Sequence, residues 1–159
     1  VPYAVIVVDQ DQFFVRAEER AVAGDQVLIV DAAEDVSKRI VEAARALAPK
    51  RSGKLATEGI GASLEYVSKT EVRVVAGLKR EPYYGIYVHE GTGIYGDYHR
   101  PIFAHMGNVF AFRAGTREVF TRHTLGQRPQ PFMREALLLV ENTYIPARVQ
   151  ELGTELSHP

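Results

Sequence analysis

The stretch DQVLIVDAAEDVSKRIVEAARALAPKRSGKL, residues 25–55, decides how the rest of the chain is read. Ile29, Ala33, Val36, Ile40, Ala43 and Leu47 recur at alternating steps of four and three. That spacing puts apolar side chains on one stripe of a helix. Glu34, Asp35, Lys38, Arg39, Glu42 and Arg45 fall mostly on the other side. The spacing predicts a helix from about Asp25 to Leu47. It must stop near Ala48, because Pro49 disfavours the α conformation in the residue before it. Lys50-Arg51-Ser52-Gly53-Lys54 is then a polar turn, and Gly53 permits the backbone to reverse.

Beyond that turn the period changes from helical to alternating. Ile60, Ala62, Leu64 and Tyr66, then Val72, Val74 and Ala76, alternate with other residues on either side of Ser68-Lys69-Thr70. A β-hairpin within Leu55–Leu78 is expected. Upstream, Tyr3–Val8 is rich in β-branched residues and reads as a strand. Asp9 or Asp11 could then cap a short helix over Gln12 to about Val22. Downstream, Tyr84–His89 reads as a third short strand, ended by Glu90-Gly91-Thr92-Gly93. Asn108–Arg113 and Arg117–Arg122 flank Ala114-Gly115-Thr116 as a second hairpin. Pro131 sits at the first turn of a last helix, Phe132 to about Thr143, where proline is tolerated. Pro146 kinks or ends that helix, and residues 151–159 are expected to be loose. The sum is an α+β fold. It has a mainly antiparallel β-sheet, with a long N-terminal helix and a C-terminal helix packed on one face. Residues 1–159 form one domain in this reading, with a strand and short helix over 1–24 and a protruding arm over 93–130.

Bulk composition narrows the function classes. The chain has 159 residues, 46% hydrophobic and 25% charged, the balance of a globular protein that buries a core. Net charge is −1, from 19 basic and 20 acidic side chains, with no basic excess of the kind that grips nucleic acid. With no cysteine, disulfides, thiolate metal sites and thiol catalysis are excluded. No stretch reaches the roughly 18 to 20 apolar residues of a membrane span. The apolar start, Val1–Val8, lacks a basic leader and a small-residue cleavage site, so a strand is expected there rather than a signal peptide. A soluble protein assembled in a cytoplasm fits.

Residues for bond chemistry are thin. His89, His99, His105, His123 and His158 match no ligand pattern such as two histidines four apart on a helix. Gly59-Ile60-Gly61-Ala62-Ser63 lies in a strand pattern without a following lysine, so it is no phosphate loop. Tyr83, Tyr84, Tyr87, Tyr95 and Tyr98 lie near Lys79, Arg80 and Arg100. Such interleaving can stack nucleic acid, but tyrosine is equally favoured at protein interfaces. No catalytic residue, metal ligand or cofactor is expected.

Three segments carry the discriminating signal. The first is Ala48-Pro49-Lys50-Arg51-Ser52-Gly53-Lys54-Leu55. The second is Tyr84-Gly85-Ile86-Tyr87-Val88-His89-Glu90-Gly91-Thr92. The third runs from Gly126 through Pro131, Phe132 and Ala136 to Leu137. In that order they resemble the tail-component family of lambdoid and related siphophages, the neck or tail-completion proteins. The likeness covers roughly residues 30 to 140. That family shows an "aP-x-x-tG-x-L" turn, a "Y-x-x-x-vE-x-GT" strand end and a "PF-x-x-x-al" helix start. Here Ser52 stands where threonine is common, and nothing separates Glu90 from Gly91. The matching positions are Pro49, Ser52, Gly53, Leu55, Tyr87, Glu90, Gly91, Thr92, Pro131, Phe132 and Ala136.

The resemblance implies a structural virion protein, not an enzyme, assembled in the bacterial host cytoplasm. It would form a homo-oligomeric ring, commonly of six copies, in the neck. Head-closure (stopper) or adaptor proteins would lie on its head side and the tail terminator or tail tube on the other. DNA would pass through the lumen without specific binding, and no membrane would be involved. Residues 93–130 carry Tyr95, Tyr98, Phe103, Phe110, Phe112 and Phe120, which would be exposed on a lone arm and are expected to contact neighbouring subunits. Three alternatives stand beside this. One is the tail terminator or head-closure ring of the same connector. Another is a small metal-dependent hydrolase built on His89, Glu90 and His99 or His105. The last is a nucleic-acid-binding module.

Overall fold

The computed structural model describes residues 3–9, 12–18, 25–50, 53–68, 71–105 and 107–157. From the N-terminus the chain forms β1 (Tyr3–Asp9), β2 (Gln12–Glu18), α1 (Asp25–Leu47), α2 (Lys54–Glu58), β3 (Ile60–Ser68) and β4 (Glu71–Leu78). Then come α3 (Gly85–Glu90), β5 (Ile102–Phe103), β6 (Phe110–Ala114), β7 (Arg117–Thr121) and β8 (His123–Thr124). Two helices, α4 (Phe132–Thr143) and α5 (Ile145–Ser157), finish the chain. The fold is mixed α+β with antiparallel sheets. It divides into two compact units, residues 1–82 with 132–159, and residues 83–131.

The first unit is a four-stranded sheet in the order β1-β2-β4-β3, with α1 laid across it. The register sets Leu64 opposite Val74 and Ala62 opposite Ala76. The alternating residues therefore share one face, as a two-residue period requires. Val72, Val74 and Ile60 are fully buried there, with Leu64 and Ala76 packed beside them. On the opposite face Glu65 pairs across the strands with Arg73, at 3.7 Å. In β3 and β4 one face is thus buried at its centre while the other carries an ion pair, as in an antiparallel sheet covered on one side.

From α1 the buried stripe is Ile29, Ala32, Ala33, Val36, Ile40 and Ala44. The expected stripe holds through Ile40 and then drifts. Ala44 is buried where Ala43 is only partly so, and Leu47 is exposed while Ala48 is buried. An unsupercoiled helix turns in 3.6 residues, so a strict alternation of four and three falls behind by the last turns. The α4 helix adds Phe132, Met133, Ala136, Leu137 and Val140, and α5 adds Ile145 and Leu152. Arg148 on α5 is the one buried charged residue among those described. Its guanidinium reaches Asp35 at 3.8 Å, Glu151 at 3.5 Å and Glu155 at 3.3 Å.

Several expectations need correction. The helix expected over Gln12–Val22 is strand β2, where it is described, paired with both β1 and β4. Phe13-Phe14-Val15 is a run of strong strand formers, and pairing on both sides outweighs the helix-friendly Ala17 and Glu18. Tyr84–His89 is not a strand. Residues 85–90 form α3, closed by a bond from the Val88 N–H to the Tyr84 carbonyl at 3.1 Å. Its Ile86 and Tyr87 are both exposed. The hairpin begins at Ile60, because Lys54–Glu58 folds into α2 first. Residues 151–157 are helical rather than loose. The helix from Phe132 does end at Thr143, ahead of Pro146, but Pro146 itself falls in the first turn of α5, where its missing N–H costs no helical bond.

Phe132 is 2% exposed and opens α4, whereas Leu139 on the same helix is half-exposed. Phe132→Ala is expected to lower unfolding free energy by about 3–5 kcal/mol. Leu139→Ala should stay within about 0.5 kcal/mol of the parent. Denaturant midpoints for the two variants check this.

Candidate functional site

The second unit, residues 83–131, is built unlike the first. Every buried hydrophobic side chain among the described residues belongs to the first unit. Among the described residues of the second, only Gly85 and Gly91 are buried. Backbone pairing holds it together instead. The Thr92 N–H donates to the Gln127 carbonyl and the Ile94 N–H to the Leu125 carbonyl, both at 2.9 Å. The Gln130 N–H reaches the Val88 carbonyl at 3.0 Å. The Thr92 hydroxyl accepts from the Gln127 N–H, also at 3.0 Å.

The two backbone segments approach so closely that a side chain at either Gly93 or Gly126 would clash. A Cβ on Gly93 would strike the Leu125 carbonyl, and one on Gly126 the Thr92 carbonyl. Both glycines have positive φ, 67° and 94°, a region that costs other residues energy. Two of the three sequence motifs thus meet in space: Glu90-Gly91-Thr92 closes against Gly126–Pro129. Gly93 and Gly126 stand at segment ends in the sequence, with no sign there of a close approach. Nothing local marks them, since their partners lie more than thirty residues away.

Past this neck the pairing continues as a ribbon. β5 pairs with β8, the Ala104 N–H reaches the Arg122 carbonyl at 2.8 Å, and β6 and β7 form the hairpin around Gly115. Among the described residues no further strand pairs with either two-stranded sheet, so the outer strand edges are unpaired. Phe110, Phe112 and Val119 share one face with Arg117. Phe120 and Ala111 share the other with the Arg113–Glu118 ion pair.

The expected interface residues all lie here. Tyr98 is 81% exposed, Phe103 70% and Phe120 65%. Phe112 is exposed too, and Phe110 is half-buried. Arg100 stacks on Tyr98 at 5.4 Å, and Arg128 on Tyr95 at 5.5 Å. Such stacking holds aromatic rings without hiding them. Of the motif residues, Tyr87 is exposed, and Oε1 of Glu90 lies 2.6 Å from Nδ1 of His89. The first motif and the start of the last helix belong to the first unit. Pro49 follows α1, Gly53 caps α2 at φ 72°, and Leu55, Phe132 and Ala136 are buried. Ser52 lies outside the described residues.

Residues 86–103 enclose a groove of about 670 Å³. Ile86, Tyr87, Tyr98, Ile102 and Phe103 supply its apolar lining, and Glu90, Asp97 and Arg100 its charges. The turn at 96–99, with His99 at φ 47°, brings Asp97 and Tyr98 to it. Asp97 and Ile86 carried no signal in the sequence. Nδ1 of His99 lies 3.3 Å from the Ile94 carbonyl, and no three His, Cys, Asp or Glu side chains cluster as a metal site among the described residues. No described helix is long and apolar enough to cross a membrane.

Gly126→Ala is expected to open the neck of the ribbon. Hydrogen exchange should then speed at the Thr92 and Ile94 amides by about tenfold or more, which corresponds to roughly 1.4 kcal/mol. Protection in the α1 amides should be unchanged.

No protein-family profile, no curated protein and no solved structure matches this chain.

Proposed function

We propose that this chain is a structural subunit of a long-tailed bacteriophage virion, one copy in a neck ring that joins the head connector to the tail tube. The ordered motifs support the reading: the helix-ending Ala48–Leu55 turn, the Tyr84–Thr92 segment and the Pro131-Phe132 helix start. One observation carries it. Among the described residues, ten of the fifteen exposed large apolar side chains fall within the 49 residues of the second unit, which has no core of its own. Apolar surface concentrated in this way marks a protein-binding site. The aromatic content suits an interface, where tyrosine and phenylalanine are enriched.

In this reading the first unit is the rigid body of the subunit and the second is its contact element. Copies meet head to tail around a closed rotation, six of them in the family that the motifs resemble. Stopper or adaptor proteins sit on the head side, and the terminator or tube on the tail side. DNA crosses the lumen unspecifically, consistent with a net charge of −1. The subunit breaks no bond, and assembly takes place in the host cytoplasm.

Particles assembled without this chain are expected to accumulate as filled heads and separate tails. Adding the purified protein should join them. Image reconstruction should place its ring between stopper and tube. A ring at the tail's end or directly on the portal would reassign it to the terminator or head-closure layer. A chain absent from finished particles would refute the proposal. Binding to duplex DNA should be weak, without the steep salt dependence of a phosphate-gripping protein.

A further inference from the structure

The groove and the hairpin are two separate surfaces of one unit. The groove's lining ends at Phe103, and no residue of β6 or β7 contributes to it. Their chemistry is complementary. Residues 110–122 carry Arg113, Arg117 and Arg122 against Glu118, a net charge of +2. The groove carries Glu90 and Asp97 against Arg100, a net charge of −1. Both are apolar beneath the charge. Phe110, Phe112 and Val119 form a stripe on one hairpin face, with Arg117 on that same face near the turn. The groove offers Ile86, Tyr87, Ile102 and Phe103.

We infer that the groove receives the β6–β7 hairpin of a second copy, the Phe110–Phe112–Val119 face against its apolar lining and Arg117 against Asp97. The inference rests on the ring reading above and names the contact that would build it. Two different patches that fit each other, carried side by side on every copy, make a heterologous contact. Each subunit gives a hairpin to one neighbour and takes one from the other. Charge of opposite sign at the rim fixes orientation, and burial of the phenylalanines supplies affinity. Peptide or nucleic-acid occupants fit less well: nucleic acid would meet the acidic Glu90 and Asp97, while a hairpin of matching charge is already part of the chain.

Charge reversal tests it on the full-length protein, in rings assembled in solution or released from particles. Arg117→Glu and Asp97→Arg should each weaken subunit association by about tenfold or more. The double variant R117E/D97R should restore association, which a damaged fold would not do. Circular dichroism would check that each variant stays folded. As the chain has no cysteine, Thr116→Cys mixed with Tyr98→Cys should give a disulfide-linked heterodimer and nothing larger. Intact rings in both single reversals, failure of the double reversal to restore them, or no cross-link in assembled rings would each overturn this contact while leaving the ring reading in place. A wild-type chain that is solitary in solution and missing from particles would end both.

Discussion

Burial of the α1 stripe against one face of the sheet is the interaction on which the first unit depends. Ile29, Val36 and Ile40 lose all contact with water, as do Val74 and Ile60 beneath them. Each such side chain contributes roughly 1.5–3 kcal/mol when fully buried. The other helices take their places from that layer. The α4 helix docks through Ala136, Leu137 and Val140, and α5 runs beside α1 and α4 with Leu152 inward. Arg148 is tolerated inside because three carboxylates, from Asp35, Glu151 and Glu155, surround its head group. A buried cation without such partners would cost several kcal/mol.

The second unit obeys the opposite rule. It is organised by main-chain hydrogen bonds and close backbone approach, with apolar side chains turned outward. A hydrogen bond contributes about 0.5–1.5 kcal/mol net, so the neck bonds at Thr92, Ile94, Gln127 and Gln130 give it definition more than stability. The glycines matter because they let the strands come close enough for those bonds to form at all. Function follows from the division. A body with a core can stay rigid, while a ribbon without one gains most from being covered by something else.

How much of this could be read from the chain depends on the range of the forces involved. The α1 helix and the β3–β4 hairpin were legible because their periods persist over many residues. The drift at Ala44 and Leu47 follows from helical geometry, but only the packed partner shows which residue is buried. The β2 strand was misread because its pairing with β4 joins Phe13 to Val74 across most of the first unit, and local propensity carries no trace of that. The α3 helix was misread because a short segment with only three apolar residues in a row, Ile86-Tyr87-Val88, fits either period. The end of α4 before Pro146 was legible, but not that Pro146 would stand in the first turn of a further helix, where proline is allowed. The three motifs could be recognised by order. That the second would close on the third could not, since Thr92 and Gln127 are 35 residues apart.

The same contrast bears on how a subunit of this kind would assemble. If all apolar surface lay inside, copies would have only rim charges to recognise one another, and exposed ion pairs contribute little. Here the apolar surface is left on a short ribbon whose strand edges are also unpaired, the feature that natural proteins normally hide. In the proposed contact a defined partner for each patch would resolve that liability: the groove would take up one apolar face of the hairpin, and the like-charged hairpins of two copies would repel rather than stack edge to edge. Arg113, Arg117 and Arg122 then have two roles, steering the ribbon to an acidic groove and keeping it from its own kind. Whether such a head-to-tail contact closes into a ring or runs on as a filament depends on the rotation between copies. In this chain that rotation would be set by the short neck at residues 91–94 and 125–127, where Gly93 and Gly126 let the two backbone segments touch.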